Sequence, residues 1–162
     1  MTLIFQLRIG TYKGNQVYMS NLTFEQVAPT ELQIEVLYRL LGSREHSISH
    51  VELPSYEEHS YFVSNHPYRC WYLIISDTVV VGSVYVQFDN SVGIVFCPTM
   101  DCEKLDQVIY LVKEAIQPLE AIPSLRYKDF YFNVPYADEK HRKCLQELGY
   151  VPMQISYVTA KP

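Results

Sequence analysis

A potential anion-binding site lies at the start of a helix that directly follows a strand. Residues 92–97 are apolar and rich in β-branched side chains, which predicts a buried strand, and helical spacing of apolar residues begins at Leu105. Open backbone N–H groups at the beginning of such a helix attract phosphate and other anions. Here the first turn holds Asp101, Glu103 and Asp106, so the simpler alternative is that these carboxylates cap the helix.

Histidine and cysteine side chains offer acid–base chemistry near the end of the chain. In the last predicted helix, which Asp138 caps and Gly149 ends, His141 and Cys144 lie on the same face as Leu145 and Leu148. Imidazole titrates near neutral pH, which suits His141 to proton transfer. The alternative is a structural role, which is the commoner one for a histidine on an apolar helix face.

The pair His46 and His50 has the i, i+4 spacing of two metal ligands on a helix. Gly42, Ser47 and Ser49 disfavour a helix at this point, and the sequence places no third ligand nearby. We therefore predict no metal site.

Charge and composition argue against several classes of partner. The chain has 162 residues, with 13 basic and 18 acidic side chains and no run of like charge, which argues against nucleic-acid and membrane-surface partners. No leader pattern opens the sequence and no apolar run reaches the ~20 residues of a membrane span, so we predict a cytoplasmic protein. The four cysteines form no C-x-x-C pair, which predicts reduced structural thiols.

These candidate residues must be positioned by a mixed sheet with flanking helices, which is an α/β arrangement. The length favours one domain over residues 1–162, with an N-terminal β-hairpin extension at about 1–22. Dense Val, Ile and Tyr content predicts an antiparallel hairpin, and the helix after residues 92–97 should cross over to a parallel strand. The predicted strands are 3–9, 16–22, 70–76, 79–88, 92–97, 128–133 and 150–159, and the predicted helices are about 32–42, 54–66, 105–117 and 138–148.

The order and spacing of these elements resemble the GNAT N-acyltransferase superfamily over about residues 16–159. Residues 77–82 (DTVVVG) resemble the family's hairpin into its third strand, residues 92–98 (VGIVFCP) its fourth strand, and residues 146–150 (QELGY) the usual ending of its last helix. The resemblance implies a central sheet with an antiparallel N-terminal part, a parallel βαβ back and flanking helices.

The resemblance also implies a site for acetyl-CoA or another acyl-CoA in a V-shaped opening between the fourth and fifth strands. The backbone amides of Val95 and Cys97 would hold the pantetheine arm and polarise the thioester carbonyl. The family's pyrophosphate loop would fall on Asp101, Lys104 and Asp106, which replace a Gln or Arg and two small residues, so we expect weak CoA binding or none through this loop. The candidate cofactor residues are Val95, Phe96, Cys97, Thr99, Met100, Asp101, Cys102, Glu103, Lys104 and Asn133.

The same resemblance implies catalytic and acceptor-side residues. The family's usual catalytic tyrosine would fall at Leu145, so His141 and Cys144 are the nearest titratable substitutes for the general acid. The candidate substrate-side residues are Tyr56, Glu57, Tyr61 and Trp71. Their alternative roles are core packing for the aromatic rings and a solvated helix face for the glutamate.

Two functions from different classes follow. The first is an acyl-CoA-dependent N-acyltransferase that acts on a small amine or a peptide amine. The second is a catalytically inactive binding or interaction module that has lost ordinary CoA binding. Few residues follow Gly149, although the family usually places two strands there, so we also predict an unpaired sheet edge and a homodimer through it.

Overall fold

A computed structural model describes residues 4–13, 16–46, 52–98 and 101–157, and side chains within these ranges from residue 22 onward. Within these ranges the chain forms a six-stranded sheet whose strands lie side by side in chain order. The strands are β1 (Ile4–Lys13), β2 (Gln16–Gln26), β3 (Cys70–Ser76), β4 (Val79–Val86), β5 (Ser91–Phe96) and β6 (Tyr131–Asn133). The helices are α1 (Glu31–Gly42), α2 (Tyr56–Asn65), α3 (Cys102–Ala115) and α4 (Glu139–Glu147).

The sheet is mixed, as predicted. Neighbouring strands are antiparallel from β1 to β5, and β5 and β6 are parallel. The hairpins β1–β2 and β3–β4 and the β5–α3–β6 crossover are therefore confirmed. β6 is shorter than the predicted strand at 128–133, because residues 128 and 129 lie in a bend and pairing begins only at Tyr131.

A capping residue directly precedes each helix. Its side chain accepts a hydrogen bond from the backbone N–H three residues later, which satisfies one of the open donors of the first turn. These capping residues are Thr30, Ser55, Asp101 and Asp138. After α4, Gly149 adopts a φ of 87°, a left-handed conformation that glycine adopts without steric strain. The predicted start and end of the last helix are confirmed.

Apolar side chains alternate along the strands and bury both faces of the sheet. On the α3 face, Val84, Val86 and Val92 pack against Val108 and other residues of that helix. On the opposite face, a second cluster joins α1 and α2 to the strands, and its buried members are Ile34, Leu37, Leu40, Val63, Trp71 and Leu73. Two helices on each face therefore position the loops at the carboxyl ends of β5 and β6.

The predicted closing strand at 150–159 is wrong over the described residues 150–157, which form no strand. Tyr150 is held by Phe132, whose ring centroid lies 5.5 Å away, but beyond it the chain is exposed, up to 88% for Tyr157. A strand needs a partner edge, and β6 offers only three residues. The apolar alternation of residues 151–157 therefore remains unpaired.

The prediction of reduced thiols is wrong for one pair of cysteines. Cys102, the first residue of α3, is disulfide-bonded to Cys144 of α4, with Cα atoms 5.3 Å apart, whereas Cys70 and Cys97 are free. Helix packing brings the pair within disulfide range, which the sequence spacing does not reveal. Disulfides are uncommon in the reducing cytosol, so one argument for a cytoplasmic location is lost and the location stays a prediction.

Within the described ranges, no helix is both long enough and apolar enough to cross a membrane. The described residues also contain no group of three or more potential metal ligands. His50, one of the two histidines considered as metal ligands, lies outside these residues.

Candidate functional site

A cleft opens where β5 and β6 part. β5 pairs with β4 over residues 92–96 but with β6 only over residues 91–93, so the carboxyl ends of the two parallel strands diverge. The opening has a volume of about 280 Å³ and lies between the segment after α1, the ends of both strands and the first turn of α4. This volume is near the lower end of the range for ligand pockets, so the cleft can accept a small molecule or one arm of a larger one.

The backbone groups that face the cleft belong to even-numbered residues of β5. The Cys97 N–H donates to the Val81 oxygen at 3.0 Å, and hydrogen-bonded pairs alternate along an antiparallel ladder, so Val95 also faces β4. The assignment of the Val95 and Cys97 amides to a ligand is therefore wrong, because β4 occupies them. The C=O of Ile94 and the N–H and C=O of Phe96 point the other way, beyond the last pair with β6.

His141 is oriented in the cleft by the carboxylate that caps its own helix. Its Nδ1 lies 2.6 Å from Asp138 Oδ2, and both side chains are largely buried, with exposed fractions of 15% and 14%. Because an ionised carboxylate only accepts hydrogen bonds, Nδ1 carries a proton and Nε2 is left to exchange one with a ligand. Nε2 is buried without a hydrogen-bond partner among the described residues, and the ring lies against Phe96, with centroids 4.9 Å apart.

Several residues predicted for the site line this cleft. They are Val95, Phe96, Cys97, Asn133 and His141. Burial raises the pKa of the Cys97 thiol, so this thiol is protonated near neutral pH and is a poor nucleophile. Thr99 and Met100 lie outside the described residues.

The first three residues of α3 and its cap Asp101 do not line the cleft, although Leu105 in the first turn does. The predicted cofactor residues Asp101, Cys102, Glu103 and Lys104 all belong to this region. Asp101 Oδ1 accepts the N–H of Lys104 at 2.9 Å, so a donor that a phosphate would use already has an acceptor. This hydrogen bond supports the capping role of Asp101, and cofactor binding by these four residues stays a prediction.

Cys144, the second candidate acid, is not available for proton transfer in this structure. Its sulfur is bonded to Cys102, and it is buried with Leu105 and Ile109 between α3 and α4. A disulfide sulfur has no proton to donate, which corrects the prediction and leaves His141 as the available member of the pair.

The four predicted substrate-side residues lie on or beneath α2, outside the lining of the cleft. Trp71 is buried in the core cluster on that face, as its packing alternative predicts. The ring of Tyr56 packs edge-on against Tyr38, with centroids 5.3 Å apart, while Glu57 and Tyr61 are exposed. The structure does not bring these residues together with His141.

Two charged residues of the cleft were not predicted from the sequence in these roles. Asp138 was recognised only as a helix cap, although its position three residues before His141 was a signal for a side-chain contact. Arg44 lies in the polar segment after α1 and lines the cleft. Its position could not be predicted, because the path of an irregular segment is set by the elements on which it packs.

Comparison with known proteins adds no assignment: no protein family matches this chain, and no curated protein or solved structure matches it either.

Proposed function

We propose that this protein transfers an acyl group from a thioester to an amine in the cleft between β5 and β6. The observation that carries this proposal is the 2.6 Å hydrogen bond between His141 Nδ1 and Asp138 Oδ2. This bond orients the imidazole so that Nε2 is the atom that exchanges a proton, and β5 extends beyond its last pair with β6 in the part of the chain that the structure describes. The resemblance of the element order to the GNAT superfamily supports the same reaction class.

The proposed reaction combines one bond exchange with one proton relay. The amine nitrogen attacks the thioester carbonyl carbon, the C–N bond forms and the C–S bond breaks. Nε2 of His141 takes the proton that the amine loses, and the imidazolium then gives it to the departing thiolate. Asp138 stabilises the imidazolium through Nδ1. The N–H of Phe96 is the donor on the strand edge that can bind the carbonyl oxygen as it gains negative charge.

The acyl donor in this proposal is acetyl-CoA or another acyl-CoA, held mainly by its pantetheine arm. The carbonyl oxygens of Ile94 and Phe96 can accept hydrogen bonds from the amides of such an arm, as in an added strand, while the Phe96 N–H binds the thioester carbonyl. The start of α3 offers a poor phosphate site because Asp101 caps it. A carboxylate about 4 Å from a phosphate oxygen costs roughly 1 kcal/mol in water and about 4 kcal/mol at a dielectric constant of 20.

The same cap favours a second candidate function, a binding or interaction module without acyl transfer. Asp101 satisfies the first turn of α3 without any ligand, so this helix needs no phosphate for its own stability. The two candidates differ in whether a thioester binds and reacts.

Thermal unfolding in the presence of acetyl-CoA, CoA and S-acetylpantetheine tests binding. S-acetylpantetheine keeps the thioester and the arm but lacks the nucleotide phosphates, so we expect it to stabilise the protein nearly as well as acetyl-CoA. A ligand at 100 times its dissociation constant should raise the free energy of unfolding by about 2.7 kcal/mol. If neither thioester shifts the transition, the binding module is favoured.

Thiol release with a panel of amines tests catalysis. We expect His141→Ala to lower kcat by roughly 10²- to 10⁴-fold, the usual contribution of a general acid or base. Asp138→Asn keeps a good helix cap but removes the charged partner of Nδ1, so it should lower kcat and alter the pH profile. Glu147→Gln, an exposed change on the same helix, is the matched control. Turnover that survives His141→Ala unchanged would refute the proposed role.

A further inference from the structure

Arg44 is a half-buried guanidinium in the wall of the cleft. It follows α1, and its Nε donates to the carbonyl oxygen of Leu41 at 3.3 Å. It lies near the side chains of Tyr68 and Tyr85, which are stacked with centroids 4.1 Å apart. Tyr85 in turn lies across β5 at Gly93, where a side chain would collide with its ring. The side chains around Arg44 therefore pack against one another and against β5, and they form one wall of the cleft.

No carboxylate neutralises this guanidinium among the described residues. The ion pairs found there join other side chains, and the stretches that the structure does not describe contain no Asp or Glu. Burial lowers the pKa of Arg44, and only the two tyrosine hydroxyls oppose this effect. Tyrosine is neutral near pH 7, and burial raises the pKa of both Tyr68 and Tyr85 further. A partly desolvated charge gains from an ionic partner, so this half-buried, unpaired guanidinium in a cleft is a candidate anion-binding group.

We propose that Arg44 binds a carboxylate of the ligand that occupies the cleft. A guanidinium presents a planar fork of donors that matches the two oxygens of a carboxylate, which makes arginine the usual partner for such a group. Glu45, Glu139 and Lys140 also border the cleft and are exposed, so these three add no net positive charge to that of Arg44. A single carboxylate fits this balance better than a phosphate.

The positions of Arg44 and His141 define two ends of the ligand. Arg44 approaches from the face that carries α1 with Tyr68 and Tyr85, whereas His141 approaches from the α4 face and lies against Phe96. Both side chains line the gap between β5 and β6, so a molecule there can contact Arg44 at one end and the side chain of His141 at the other. Resting on the proposed function, this arrangement identifies the acceptor as an amino acid or another small amine that carries a carboxylate.

The volume of the cleft agrees with this class of acceptor. About 280 Å³ is room for an amino acid beside the end of a thioester arm, but not for a folded partner.

Direct binding of small probes tests the carboxylate site without any turnover. N-acetylglycine carries the carboxylate, N-acetylglycinamide replaces it with a neutral amide, and inorganic phosphate is the alternative anion. We expect N-acetylglycine to bind at least tenfold more tightly than the amide, with an affinity that falls as salt rises. Equal binding of the acid and the amide would overturn the proposal, as would tighter binding of phosphate.

Arg44→Met and Arg39→Gln form the variant pair for this test. Arg44→Met should abolish the preference for N-acetylglycine and should leave the unliganded protein about as stable, because it removes an unpaired, half-buried charge. Arg39 lies one turn earlier, is exposed and pairs with Glu35, so Arg39→Gln should leave binding unchanged. If Arg44→Met unfolds the protein, Arg44→Lys must weaken N-acetylglycine binding while retaining the fold, and unchanged binding by that variant refutes the proposal.

Failure of this inference can be separated from failure of the proposed function. Carboxylate binding through Arg44 without thiol release would refute the acyl-transfer proposal and support the carboxylate site. Equal turnover of glycine and glycinamide would keep acyl transfer and refute the role of Arg44 in acceptor selection.

Discussion

Asn90 joins β5 to the segment that leads into β6, so its amide group should be among the most sensitive in the protein. The residue is fully buried, with an exposed fraction of 0%. Its Nδ2 donates to the carbonyl oxygens of Leu119 and Tyr127, each at 2.8 Å, and its Oδ1 accepts the N–H of Leu119 at 2.8 Å. Its own carbonyl accepts the Tyr131 N–H at 3.3 Å, at the start of β6.

Asn90→Asp isolates the donor function of this side chain. The backbone φ of 69° is left-handed, a conformation that Asn and Asp both tolerate, and an aspartate would still accept the N–H of Leu119. The change replaces the amide donor with an oxygen that faces two carbonyl oxygens. Each buried carbonyl left without a donor costs about 1–3 kcal/mol, and a buried charge adds to this. We expect a total loss of roughly 4 kcal/mol, a large part of the 5–15 kcal/mol typical of a folded domain.

Urea unfolding followed by tryptophan fluorescence measures this loss, since Trp71 is the single tryptophan and is buried. Asn65→Asp is the matched control, because the Nδ2 of Asn65 also donates to a carbonyl, that of Tyr61 at 2.9 Å, but on an exposed surface. The control places a carboxylate at the exposed end of α2 and should lower stability by no more than about 1 kcal/mol.

The pH dependence provides a second test. Burial and the two carbonyls should raise the pKa of the introduced carboxyl, so protonation restores one donor and the loss should shrink between pH 7 and pH 5. Equal stability of the two variants, or a loss that does not depend on pH, would refute this account of Asn90.

Four further predictions follow. Gly93→Ala should destabilise by roughly 1–3 kcal/mol in the same unfolding assay, because an added Cβ would lie 2.1 Å from Cζ of Tyr85; an unchanged midpoint would show that the ring moves freely. Burial lowers the pKa of His59, so the unfolded state binds more protons below about pH 6.5, and the free energy of unfolding should fall from pH 7 to pH 5. His59→Gln should reduce this dependence of the unfolding free energy on pH, and an unchanged dependence would show that other groups cause it. Cys144→Ser should lower the unfolding free energy by about 4 kcal/mol, the loop-closure value for cysteines 42 residues apart, whereas no loss on substitution or reduction would contradict a structural bond. The exposed, alternating residues 151–157 should pair with the sheet edge of a second copy, so sedimentation should show a dimer that dissociates on their removal; a strict monomer at high concentration would argue against it.

Local signals in the sequence were sufficient for most of the fold. The β3–β4 hairpin followed from β-branched and aromatic residues around a short turn, and the β5–α3–β6 crossover followed from a buried strand joined to an amphipathic helix. The cap at Asp138 was also predicted, because capping depends on residues only three positions apart. The prediction of a closing strand was wrong because it used only local alternation, whereas a strand also needs a free sheet edge to pair with.

The candidate site was decided by tertiary structure. His141 was identified from its helix face, but its orientation became evident only from the contact with Asp138. Which β5 amides face the cleft depends on the register with β4, and sequence reasoning assigned Val95 and Cys97 where the structure turns Phe96 to the opening. Arg44 enters the same cleft because β5 and β6 part after three paired residues. The point at which two strands separate, and the two cysteines that meet when helices pack, depend on contacts between distant parts of the chain, and local periodicity does not encode them.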